Sequence, residues 1–375
     1  MPPGDRSDHH PIEPVDLFKP RPAALLPILA VVLGLLAGAA VMWSSGNDPL
    51  VAYRAMLSGS FGGSDELGRT LEKATPLILT GLAVAFAFKA GLFNIGGQGQ
   101  LLLGAVFSAW IGFRFALPAP VHVPLGLLVG ALAASLLGLL VGALKAYRGA
   151  HEVITTIMFN FVAANLTEWL VSRRGPWLDP PASNPSNLAR TPLVRDSAEI
   201  PRIEGLPLGF VVAVAAAVLI WWLLARTTFG FSVRTAGANR FAATYAGINV
   251  TRITVVTMMI SASLAGLGGA IQTQGLTGRF EPGFQTGLGF EGITIALLAR
   301  THPLAVIPAA LLIGAMDAGS SLMQSRARVE PEVISVIQAF ILFFVAAPAV
   351  VRYLIRLRAL EDTGQLQLSS GWGGG

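Results

Sequence analysis

Long apolar runs separated by short polar turns fill most of this 375-residue chain. A helix that crosses a bilayer needs about 20 predominantly apolar residues, and fewer where neighbours shield it. On that criterion the pattern predicts spans near 23–43, 74–90, 92–115, 123–145, 152–171, 207–225, 253–275, 287–300, 303–322 and 333–352. Lys73 and Lys89 crowd the second run, and Glu291 and Asp317 interrupt the eighth and ninth. Eight to ten crossings are therefore expected, and the fold class is an all-α polytopic membrane protein. The connection 172–206 is rich in Pro, Ser and Asn and reads as a structured loop or a short surface helix. Residues 1–21 form a polar, acidic head, and the apolar run behind it is too long for a signal-peptide core, so it reads as a retained first span. Residues 22–355 then make one transmembrane domain, and 356–375 a disordered tail.

Composition sharpens this picture. Only 13% of residues are charged, against about 25% in a soluble domain, while 53% are hydrophobic. The net charge of +5 is scattered between apolar runs rather than gathered into a stripe, which speaks against nucleic acid and for membrane orientation. Lys89, Lys145, Arg148, Arg226, Arg234, Arg240, Arg252 and Arg300 fall on one side of the spans, and Arg114, Arg279, Arg326 and Arg328 on the short connections of the other. The bias places both termini in the cytoplasm and makes 172–206 periplasmic. With no cysteine there is no disulfide, thiolate nucleophile or Cys-based metal site. His151-Glu152 lacks the second histidine of a zinc-protease helix, no Gly-x-Ser-x-Gly elbow occurs, and none of the four lysines follows a glycine as in a phosphate loop. The sequence thus predicts no catalytic and no metal site.

Gly34 and Gly38, Gly126 and Gly130, and Gly138 and Gly142 are spaced four apart, which lets helix backbones approach closely. Four other stretches are unlike lipid-facing helix. Residues 88–100 hold Leu92-Phe93-Asn94-Ile95-Gly96 followed by Gly97-Gln98-Gly99-Gln100. Irregular backbone at membrane depth survives only against protein or a water-filled cavity, so this is either a break lining a translocation path or a turn at the membrane edge. In 151–160, Thr156 and Asn160 lie one helical turn apart. In 228–250, Asn239 reads as an N-cap and Arg240–Ala246 as a short helix stopped by Gly247. In 287–298, Glu291 stands in a glycine-rich membrane segment, which makes it a site hypothesis. The first and fourth stretches, entered from opposite sides, suggest an inverted repeat.

Together these stretches resemble the permease family of ATP-binding-cassette importers for ribose, branched-chain amino acids and nucleosides. Residues 88–100 look like its most recognisable segment. Asn239, Ala242, Ala243, Tyr245, Ala246, Gly247 and Ile248 match its coupling helix, with Arg240 where proline is common. The extra first span, the 80–86 run and the Arg190-containing loop resemble the longer of two paired permeases in nucleoside-type systems. The resemblance implies a type II importer-like bundle in the bacterial inner membrane, paired with a shorter paralogous permease, a cytoplasmic ATPase that binds ATP and Mg, and an extracytoplasmic substrate-binding lipoprotein. It implies ATPase coupling through the loop 227–251, at Arg234, Gly237, Asn239, Arg240, Ala242, Ala243, Tyr245 and Gly247. Asn94, Gln98, Asn160 and Glu291 are the path candidates. Nucleosides lead as cargo, with monosaccharides and branched-chain amino acids behind. The competing expectation is an ion-coupled secondary transporter, in which Glu291 and Asp317 would be essential.

Overall fold

The computed structural model describes residues 22–203, 205–283, 287–347 and 350–351. The head 1–21 and the tail 356–375 lie outside the described residues. In chain order the helices are α1 (Pro22–Ser44), α2 (Pro49–Phe61), α3 (Ser64–Lys89), α4 (Gly97–Arg114), α5 (Ala119–Arg148), α6 (Glu152–Leu170), α7 (Leu208–Arg226), α8 (Thr228–Ala238), α9 (Arg240–Tyr245), α10 (Val250–Gln272), α11 (Leu288–Leu298), α12 (Val306–Ala327) and α13 (Pro331–Ala346). The connection 171–207 carries a two-residue-per-strand hairpin, β1 (Arg202–Ile203) with β2 (Leu206–Pro207), and marks one end of the bundle, called here the upper end. The end that carries α9 is the lower.

Among the described residues, seven helices are long and apolar enough to cross a membrane: α1 from Leu26, α3, α5, α6, α7, α10 with the π turn that follows it, and α12 with the short turn before it. The other three expected spans are helical too. Helix α4 begins at Gly97 rather than 92 and opens on glycines and amides, and α11 and α13 are short. Helix α3 begins ten residues earlier than its apolar run, because Ser64–Lys73 continues the same helix with Asp65 and Glu66 in the first turn, where carboxylates suit the helix dipole. Helix α2 lies inside what hydropathy shows only as a connection. The Asp48 carboxylate caps it, accepting from the Leu50 amide at 2.8 Å.

The glycine pairs are contact points. A β-carbon at Gly34 or Gly38 would meet Ile341 or Ile337, so α1 lies against α13. Gly126, Gly130, Gly138 and Gly142 run down α5 against Gln274, Ala270, Ala262 and Val255, which seats α10 along its whole length. Small residues let two backbones meet where no hydrophobic force between helices exists in lipid.

The packing has a symmetry of its own. Helix α10 packs on α5, α4 and α3, while α3 packs on α12, α11 and α10, and α4 touches α11. Exchanging α3 with α10, α4 with α11 and α5 with α12 maps these contacts onto themselves. Since α3 leads down to the α9 end and α10 leads up from it, the two sets have opposite orientation. That is the inverted repeat expected from the two broken segments.

Candidate functional site

The chain leaves α3 at the lower end and turns back. Gly91 there faces the backbone of Gly237 at the end of α8. Residues 90–96 then climb without helix until Asn94 reaches the level of Ala83, and only at Gly97 does α4 start. The break is thus a return into the bundle rather than a turn at its edge.

Asn94 is buried and fully engaged. Its Nδ2 donates to Gln100 Oε1 at 2.8 Å and to Ser261 Oγ at 2.7 Å. Its Oδ1 accepts from the Gly96 amide at 3.0 Å and from Gln100 Nε2 at 3.0 Å. Ser261 Oγ in turn donates to the Ala83 carbonyl at 2.6 Å. One side chain so ties the break to α3, α4 and α10, and satisfies backbone that no regular ladder covers.

Asn160 closes the break from the other side. Its Oδ1 accepts from the Gly99 amide at 2.8 Å and its Nδ2 donates to the Ile95 carbonyl at 3.0 Å. Thr156, one turn away, bonds within its own helix, donating to the Glu152 carbonyl at 2.7 Å. Gln98 joins the two broken segments, since its Oε1 accepts from the Gly289 amide at 2.9 Å. A β-carbon at Gly97 would come within 3.0 Å of the Gly289 carbonyl. The starts of α4 and α11 therefore meet inside the bundle.

Three of the four path candidates, Asn94, Gln98 and Asn160, are thus gathered into one buried knot where they hold helices together. Glu291 lies apart, one turn into α11. Its Oε2 is buried and meets no hydrogen-bond partner among the described residues, and its charged neighbours are Asp317 and Lys73. Gln100, Ser261 and Gly289 complete the knot. Gln100 stood in the quoted motif, but Ser261 sits in an ordinary apolar run that gives no sign of its role.

The loop between α7 and α10 folds as its residues suggest. Asn239 caps α9, its Oδ1 accepting from the Phe241 and Ala242 amides at 2.9 and 3.0 Å. Gly247, at φ +77°, ends it in the left-handed region that favours glycine. Arg234, Arg240, Ala242 and Tyr245 are exposed, while Ala243 is fully buried as the anchor of the helix. Phe241 is 80% and Tyr245 93% exposed, two aromatic side chains one turn apart. Gly237 has no room for a β-carbon, since the Lys89 carbonyl and the Ala90–Gly91 backbone lie against it.

A helical bundle of two inverted halves, with broken helices meeting in its middle and a small exposed helix at the end of α8, which packs on the foot of the break, is the architecture of a membrane permease. Residues 67–346 match the family model for the branched-chain amino acid transport system / permease component, and the chain belongs to that family. It is 40% identical to the guanosine ABC transporter permease protein NupP of Bacillus subtilis, over 88% of this chain and 95% of the relative. A glucose ABC transporter permease protein of Haloferax volcanii is 34% identical over 85% of this chain and 86% of its own. The guanosine ABC transporter permease protein NupQ, also of Bacillus subtilis, is 28% identical over 65% of this chain and 78% of its own.

Proposed function

We propose that this chain is the longer of two paired permeases in an ATP-driven nucleoside importer of a bacterial inner membrane. In this reading the lower end and both termini face the cytoplasm. A second, shorter permease sits beside it, an ATPase docks on α9, and a substrate-binding lipoprotein docks on the upper end. NupP and NupQ, two permeases named for one nucleoside in one organism and both similar to this chain, support the pair and the cargo. The observation that carries the mechanism is the contact of Gly237 with Gly91, which connects the exposed α9 to the knot.

ATP and Mg, held by the ATPase, supply the energy. In this chain, a push on Phe241 and Tyr245 passes through the buried Ala243 to α8, and from Gly237 to Gly91. The knot around Asn94 makes the foot of the break and the starts of α4 and α11 move as one body. Such a seam is a two-state element that the ATPase and the cargo can both bias. The test is guanosine uptake by cells that carry the full transporter with Phe241→Ala and Tyr245→Ala together. Both side chains are exposed, so the fold is left intact. ATP-dependent uptake should fall at least tenfold with normal membrane insertion. Undiminished uptake would refute the docking role of α9, and uptake indifferent to ATP would favour ion-coupled transport.

A further inference from the structure

Among the described residues, the lower end is charged almost entirely in one sign. It carries Lys89, Lys145, Arg148, Arg226, Arg234, Arg240, Arg252 and Arg300 against a single carboxylate, Glu152. That carboxylate is buried and already taken, its Oε2 pairing with Lys145 Nζ at 2.7 Å. An excess of cations on cytoplasmic connections is the ordinary rule, and Arg226 and Arg252, at the lower ends of α7 and α10, stand where lipid headgroups meet a helix end. Lys89 and Arg234 are placed differently. Lys89 ends α3 and is partly buried, and its charged neighbour is Arg234, exposed on α8. The two flank the contact in which Gly237 of α8 meets the Lys89 carbonyl and the Ala90–Gly91 backbone. Neither has an ion pair among the described residues. Two like charges side by side repel, and partial burial weakens the screening by water.

We propose that Lys89 and Arg234 form a seat for a carboxylate of the ATPase, beside α9. It rests on the importer reading. The seat continues the surface that Phe241 and Tyr245 begin, because α8 runs directly into α9 at Asn239. The aromatic pair gives the ATPase a hold on α9 alone, whereas the cation pair ties it to the end of α3 as well. A carboxylate between the two cations relieves their repulsion and draws α8 onto the foot of the break. When it withdraws, the same repulsion favours their separation. The foot of the break thus has two arrangements, and the docked ATPase biases one of them.

The experiment uses the complete transporter in nanodiscs of zwitterionic lipid, so that no anionic headgroup can fill the seat. Its own ATPase is stripped off, and rebinding is measured as a function of salt. Lys89→Gln and Arg234→Gln should each weaken binding at least tenfold at low salt and flatten its salt dependence. Lys89→Arg, which keeps the charge, should stay within about twofold of the wild type. Arg226→Gln, at the membrane edge, should change neither quantity. Wild-type affinity and salt dependence in both glutamine variants overturn the proposal, and a loss of binding confined to Phe241→Ala with Tyr245→Ala leaves the docking of α9 standing without it. Glutamine variants that bind more tightly, as the wild type then does once residues 1–21 are removed, overturn it by assigning the seat to the chain's own acidic head, with Asp5, Asp8, Glu13 and Asp16. A wild type that binds no ATPase at any salt overturns the importer reading beneath it, which keeps the two failures apart.

Discussion

At the scale of single residues, Asn94 is where most depends on one side chain. Removing it strands the Gly96 amide, both ends of the Gln100 amide and the hydrogen bond to Ser261. A buried polar group left without a partner costs about 1–3 kcal/mol. Asn94→Ala should therefore destabilise the purified complex by about 3 kcal/mol or more, read as a lowered denaturation midpoint in detergent. Asn165→Ala is the matched comparison, because among the described residues that exposed amide bonds only to the Phe161 carbonyl of its own helix at 2.8 Å, and it should change little. Equal midpoints for the two variants would remove Asn94 from the centre of the fold. The sequence marks Asn94 as unusual, since a glycine- and amide-rich break needs something to satisfy its backbone. It cannot tell whether that something is a cavity or other helices. The partner Ser261 is 167 positions away, and a lone serine in an apolar run has the same appearance whether it bonds its own helix or another.

Elements were legible wherever their apolar runs were long. Helices α5, α6 and α7 end within a few residues of the expected spans, and the glycine spacing on α5 foretold a close neighbour without naming it. What hydropathy could not show was helix that is polar or short. The first turns of α3 carry Asp65, Glu66, Arg69 and Lys73, and α2 is thirteen residues held by packing against α12, where Gly59 faces Gly319. The close approach of α4, α5 and α10 has a direct test. A β-carbon at Gly130 would lie 2.6 Å from the Gly104 carbonyl oxygen and 2.9 Å from Ala270 Cβ. Gly130→Leu should force the three helices apart and abolish accumulation of folded protein in the membrane. Leu132, two positions on, is more than half exposed, and Leu132→Ala should accumulate as the wild type does. A stable Gly130→Leu protein would mean that this packing can open, contrary to the low compressibility of a tight core.

For the molecule as a whole, the inverted halves, the strap 171–207 and the exposed helix α9 acquire meaning from which end faces the cytoplasm. The strap is built into the upper end: the Val194 amide bonds the Gly278 carbonyl at 2.8 Å, Ile200 bonds Gln274 at 2.9 Å, and Arg195 bonds Gly112 at the top of α4 at 3.1 Å. It therefore grips α4 and the turn that follows α10 from above, as α8 meets the break from below. A transporter that couples an outer event to an inner one needs both grips on one seam. Charge argues the direction, since the short lower connections carry Lys145, Arg148, Arg226, Arg234, Arg240 and Arg252, the excess found on cytoplasmic loops. The native chain has no cysteine, so a single introduced one reports without background. Ser186→Cys in the strap and Thr244→Cys on α9 both occupy exposed positions at opposite ends. A membrane-impermeant maleimide should label the first in spheroplasts and the second only in inverted vesicles. The reverse pattern would turn the molecule over, place α9 where no ATPase could reach it, and leave the ion-coupled reading in its place. Labelling of both positions from one side would contradict the bundle itself, because an odd number of crossings separates the strap from α9 through α7.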